Sequence, residues 1–126
     1  DMANNKGLSA VAEDYTYKGF SESYLKKNKI FIPLALKIQK FMDKDRFIAL
    51  AKAVNTVDTY DRLEEIQCPV LVLAGGQDKI ATRAASIEIA EKLGCDYYIY
   101  EELGHEAYSE SKDFNRRIYE FFEKDL

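Results

Sequence analysis

Two side chains of this sequence have the types and the setting for proton-transfer chemistry. Asp78 follows Gly75-Gly76-Gln77, and His105, the single histidine, follows Gly104. A carboxylate that accepts the Nδ1 proton of an imidazole fixes its tautomer and stabilises the imidazolium. Nε2 is then free to take a proton from a nucleophile. Taken singly, a loop histidine is more often a surface residue and an aspartate after a strand more often a helix cap, so the pair needs a shared setting. The glycines ahead of each let the backbone turn tightly and give a substrate room to approach. Other chemistries find few ligands. Cys68 and Cys95, the only cysteines, belong to no Cys-x-x-Cys or Cys/His cluster and read as reduced core residues; neither a metal site nor a cofactor is expected.

The shared setting comes from the elements around the pair. Pro69-Val70-Leu71-Val72-Leu73-Ala74 is continuously apolar, as in a strand buried between helices in a parallel sheet, and Gly75-Gly76 ends it. A helix is expected from about Thr82, its cap, to Leu93, with Ile89, Ala90 and Leu93 inward and Gly94 as the stop. A second strand spans Asp96 to Glu101, and a closing helix carries the stripe Phe114, Ile118, Phe121 and Phe122. The order is β-α-β-α. Asp78 and His105 then lie past the carboxyl ends of neighbouring parallel strands, where open α/β sheets form their ligand crevice.

Upstream of a boundary at about Tyr60 to Gln67 the apolar spacing is helical and no strand is expected. Leu34, Ile38, Phe41 and Met42 form one stripe behind Pro33, and Phe47, Leu50, Ala51 and Val54 another behind Asp43 and Asp45, either of which suits the cap. A shorter helix covers Ser21 to Lys27, with Tyr24 and Leu25 inward. Residues Asp1 to Gly19 are expected as loop and short helix, punctuated by Gly7 and Gly19.

Composition bounds the partners. With 18 basic against 22 acidic residues the net charge is −4, which favours neither nucleic acid nor a polybasic membrane patch. The longest strongly apolar run, Val70 to Ala74, is far short of the about 20 residues a membrane helix needs, and no signal-peptide pattern is present, so a cytoplasmic protein is expected. A length of 126 residues suits one core. Two buried-type strands nevertheless need neighbours, so the chain is expected to be part of a longer protein or to complete its sheet with another molecule. Asp1 in place of a starting Met favours a fragment, while Met2 one place later leaves an intact small protein as the alternative.

At this point the sequence resembles a family. The run from Asp61 through Cys68-Pro69-Val70-Leu71-Val72-Leu73-Ala74-Gly75-Gly76-Gln77-Asp78-Lys79-Ile80 is similar to the α/β-hydrolase segment that presents the acid of a Ser-His-Asp triad. Glu101-Glu102-Leu103-Gly104-His105-Glu106 is similar to the segment that presents the catalytic histidine, and Phe114 to Phe122 to the closing helix. The resemblance implies an α/β fold class: residues 61–126 are the C-terminal β-α-β-α part of an α/β-hydrolase parallel sheet, and residues 1–60 an all-helical cap. It makes Asp78 and His105 catalytic. The family's Gly-x-Ser-x-Gly elbow is absent, since Ser9, Ser21, Ser23, Ser86, Ser109 and Ser111 all lack that glycine setting. The nucleophile is therefore expected upstream of Asp1 and this fragment alone is expected to be inactive. Ala81-Thr82 stands where the family often has proline.

Three functions fit these expectations. The first is the C-terminal part of a hydrolase that cleaves an ester or similar acyl bond in a small molecule, with Tyr15, Tyr17, Phe20, Tyr24, Phe31 and Phe41 of the cap as candidates for an apolar pocket. The second is a non-catalytic binding or interaction module that forms a homo-oligomer through its sheet edge. The third is a related reaction such as acyl transfer or carbon-carbon bond hydrolysis. Association with a missing N-terminal part belongs to the first.

Overall fold

The strand following Pro69 and the one following Cys95 form as a parallel pair. In the computed structural model, which describes residues 2–124, β1 (Leu71–Gly75) pairs with β2 (Asp96–Tyr100) in a register running from Leu71 opposite Asp96 to Gly75 opposite Tyr100. Asp1 and residues 125–126, the outer ends of the two expected segments, lie outside the described residues.

Between the strands, α6 (Arg83–Leu93) begins where the Thr82 hydroxyl accepts the Ala85 N–H, a cap of the kind that contributes about 1 kcal/mol. It ends at Gly94, whose φ of 61° is a left-handed conformation that glycine adopts without strain. Ala90 is the buried residue of its inner face, beside half-buried Leu93; Ile89, expected inward, is exposed. Beyond β2 come the single turn α7 (Ala107–Glu110) and the closing helix α8 (Phe114–Lys124). Phe114 stacks on the buried Tyr100 ring at 5.9 Å, and the Arg117 guanidinium lies 3.4 Å over the Tyr98 ring, so α8 is held to β2 through aromatic faces. Phe122, expected in the inward stripe, is 62% exposed; Phe114, Ile118 and Phe121 carry that face.

Among the described residues before Tyr60 every regular element is a helix. Residues up to Gly19, expected as loop and short helix, instead form α1 (Met2–Lys6) and the twelve-residue α2 (Leu8–Gly19). Gly7, at φ 82°, breaks them apart. Then follow α3 (Glu22–Lys27), capped by Ser21, α4 (Phe31–Ile38), and α5 (Lys44–Val54), capped by Asp43 rather than Asp45. A 3-10 turn at Tyr60–Glu65 lies between α5 and β1.

Two expected stripes are misassigned. Helix α4 stops at Ile38, so Phe41 and Met42 belong to the connection; Ile32 is buried while Leu34 and Ile38 are 56% and 72% exposed. On α5, Phe47 is half-buried and Leu50 and Val54 are exposed. Periodicity finds an apolar face, whereas burial depends on what lies against it. The cysteines are likewise not core residues: both are free, Cys68 is exposed and Cys95 half-buried. Among the described residues no helix is long and apolar enough to cross a membrane.

Candidate active site

Because β1 and β2 are parallel and in register, Gly75 and Tyr100 deliver their following loops to the same edge. The loops are laced together by main-chain hydrogen bonds: Gly76 N–H donates to the Tyr100 carbonyl at 2.8 Å and Gln77 N–H to the Leu103 carbonyl at 2.8 Å. No side chain fits between them. A Cβ on Gly75 would stand 2.0 Å from the Gly104 carbonyl oxygen, and one on Gly104 would stand 2.4 Å from the Gly19 carbonyl oxygen. Neither glycine has a positive φ, so close approach of backbones, rather than the tight turn expected from the sequence, requires them.

Asp78 and His105 meet at this edge. The Asp78 side chain is 4% exposed; its Oδ1 accepts the N–H groups of Ile80 at 2.7 Å and Ala81 at 2.9 Å, and its Oδ2 lies 2.8 Å from His105 Nδ1. Two amides thus fix the carboxylate before it meets the imidazole. A carboxylate held as acceptor assigns the proton to Nδ1 and leaves Nε2 as the basic nitrogen. Among the described residues no side chain hydrogen-bonds Nε2, and the imidazole side chain is 34% exposed. Two other acids of the second strand and its end do not reach His105: Asp96 opens β2 at the opposite end, and Glu101 pairs with Arg83 at 3.1 Å.

Two further carboxylates, not singled out in the sequence, join this loop to the N-terminal helices. Glu106 is 7% exposed and accepts the Tyr15 hydroxyl at 2.5 Å, while its N–H donates to the Gly19 carbonyl at 2.9 Å. Partial burial, then the hydrogen bond and charge of Glu106, push the Tyr15 phenol up to about 12. The Tyr15 ring meets the His105 ring edge-on, with centroids 6.2 Å apart. Glu110 accepts the N–H groups of Ser21 at 3.0 Å and Gly104 at 3.2 Å, and also the Ser21 hydroxyl. Ser21 is fully buried and also caps α3, so one carboxylate clamps the α2–α3 junction to the residue before the histidine. The spacing of Glu106 and Glu110, one helical turn apart, is the local signal that both reach the same neighbour.

Of the aromatic residues considered for a pocket, Tyr15, Phe20 and Phe41 line an apolar cavity of about 410 Å³. Tyr24 instead stacks on Phe20 at 4.3 Å, and Tyr17 and Phe31 are exposed. Neither strand-to-helix connection, 76–82 nor 101–106, carries a serine. Among the described residues no group of three or more His, Cys, Asp or Glu side chains is placed to hold a metal ion.

The family described as serine aminopeptidase, S33 matches residues 43–112, more than half of the chain. No curated protein matches it. The crystal structure of the enol-lactonase from Burkholderia xenovorans is similar, with a TM-score of 0.81 over 96% of this chain at 20% identity, a likeness of fold. The match covers 47% of that protein, so the chain spans about half the length of this solved relative.

Proposed function

Because the chain belongs to the serine aminopeptidase, S33 family of α/β-hydrolases, we propose that it is the C-terminal portion of a hydrolase that cleaves an ester or similar acyl bond through a Ser-His-Asp triad. Asp78 orients His105, and His105 Nε2 takes the proton of a serine hydroxyl as that oxygen attacks the acyl carbon. The same nitrogen then gives the proton to the leaving oxygen, and a water repeats the cycle to release the acid. The serine and most of its oxyanion hole lie upstream of this chain, so residues 1–126 alone are inactive. Residues 1–60 act as the cap over the site and 61–126 as part of the core.

The observation that carries this reading is the 2.8 Å contact between Asp78 Oδ2 and His105 Nδ1 at the carboxyl edge of a parallel pair. The unpaired outer edge of β1 and the exposed faces of α4 and α5 support a larger parent, since both need neighbours. The test is the full-length protein and its His105→Ala variant, assayed on p-nitrophenyl acetate. The variant is expected to lose roughly 10³-fold or more in kcat with unchanged far-UV circular dichroism. Equal turnover by the two proteins removes His105 from the mechanism, and no turnover by either leaves the non-catalytic module, with its oligomer through the β1 edge, as the better reading.

A further inference from the structure

The cavity beside Tyr15 is built from three stretches of the helical half. Helix α2 contributes Leu8, Val11, Ala12, Tyr15 and Thr16. Phe20 follows, and Gln39, Phe41 and Met42 of the α4–α5 connection close it with Phe47. None of these side chains carries a formal charge. Its polar groups are largely engaged already: the Thr16 hydroxyl donates to the Ala12 carbonyl at 2.8 Å, and the Tyr15 hydroxyl donates to Glu106. Gln39 alone, among the described residues, keeps a lining side-chain amide without a hydrogen-bond partner. At about 410 Å³ the cavity is in the size range of small-molecule sites. It is also reachable, since Tyr15, Phe41 and Met42 are each between 38% and 49% exposed.

Its position relative to the chemistry comes from one residue. Tyr15 is both a wall of the cavity and the edge-on neighbour of the His105 ring, and Glu106 fixes it in that place by its hydroxyl. A molecule filling the cavity therefore ends one ring away from the imidazole. We propose that this cavity binds the uncharged, apolar aliphatic or aryl portion of the substrate, with Tyr15 as the wall shared with the histidine, and that it rejects both ammonium and carboxylate groups. The inference deepens the hydrolase reading and rests on it for the word substrate. The rejection follows from solvation: an ion placed among these side chains loses water and gains no counter-charge. A peptide's terminal ammonium has no carboxylate in the cavity wall to pair with.

Three probes of one skeleton test this on the full-length protein by isothermal titration calorimetry: 4-phenylbutanamide, 4-phenylbutanoate and 4-phenylbutylamine. The amide is expected to bind at least about tenfold tighter than either ion. Shortening it to phenylacetamide is expected to weaken binding about fourfold per methylene removed, with a less negative heat-capacity change. Val11→Trp fills the cavity and abolishes amide binding. Should that variant not fold, Met42→Ala, in an exposed connection, enlarges the cavity and shifts preference toward 6-phenylhexanamide. Equal binding of the three probes, binding that survives Val11→Trp in a folded protein, or no binding at all because an upstream segment occupies the cavity overturns the proposal. The titrations are repeated on the full-length His105→Ala protein, in which the proposed triad cannot turn the amide over, so binding and turnover are read apart and the two readings fail separately. A protein that hydrolyses p-nitrophenyl acetate but binds no amide overturns the cavity, and one that binds the amide and hydrolyses nothing overturns the reaction.

Discussion

At Asp78 the carboxylate serves two masters: Oδ1 is held by the Ile80 and Ala81 amides, and Oδ2 meets the imidazole. Asp78→Asn keeps the shape, but the Ile80 and Ala81 amides hold its carbonyl oxygen, so its NH₂ faces and donates to Nδ1 and selects the tautomer that carries the proton on Nε2. In the full-length protein kcat on an activated ester is expected to fall by roughly 10³ to 10⁴-fold with KM little changed; a normal kcat reassigns the acid. Tyr15→Phe removes the donor to buried Glu106, a loss of about 1–3 kcal/mol that urea unfolding measures. The wild-type phenol holds its proton to about 12 when folded, whereas an unfolded tyrosine releases it near 10. The native state thus binds more protons above pH 10, and stability falls as pH rises from there toward 12. The gap between wild type and Tyr15→Phe is expected to be full below pH 10 and to shrink above it; a gap constant to pH 12 contradicts this. Asp78 and His105 were legible because each stands just beyond its own strand behind glycine. Tyr15 was not, because its partner lies 91 positions along the chain and only the folded molecule brings them together.

Among elements, the contact between the α2–α3 junction and the histidine loop is the one that matters for the site. Gly104→Ala would drive a methyl into the Gly19 carbonyl, so main chain must move on one side or the other. The expected outcome is a loss of about 2 kcal/mol or more together with a fall in kcat, read by thermal unfolding and ester turnover. Glu110→Ala leaves the amides of Ser21 and Gly104 without their acceptor, and limited proteolysis is expected to begin cutting near residues 19–21 under conditions in which wild type resists. The strands, α6 and α8 were readable because caps, stops and aromatic runs are local signals. The exposed faces of α4 and α5 were not, since the same stripe describes a helix whether or not a layer covers it.

For the whole molecule, the buried apolar residues are few and mostly small: Ala3, Ile32, Ala74, Ala90, Tyr100 and Ala107. Large apolar side chains at Ile30, Phe31, Ile38 and Val54 stay two-thirds or more exposed, as on a surface made to meet another. In the full-length protein the outer edge of β1 is expected to pair with an upstream strand, so its outward amides should exchange with deuterium as slowly as those bonded to β2. Fast exchange at alternate β1 amides would show that the edge is free.

Main chain at residues 19–21, 75 and 104 touches with no side chains between, while the stretch from Asn28 to Asp58 hangs from this crossing through exposed helices. Inheritance can treat these two regions differently. The crossing tolerates little novelty, since a carbon added at Gly75 or Gly104 meets main chain, but the exposed faces of the hanging helices offer no such obstacle among the described residues. On the proposed reading, a change in α4 or α5 can reshape what the protein accepts and leave the Asp78–His105 contact where it is.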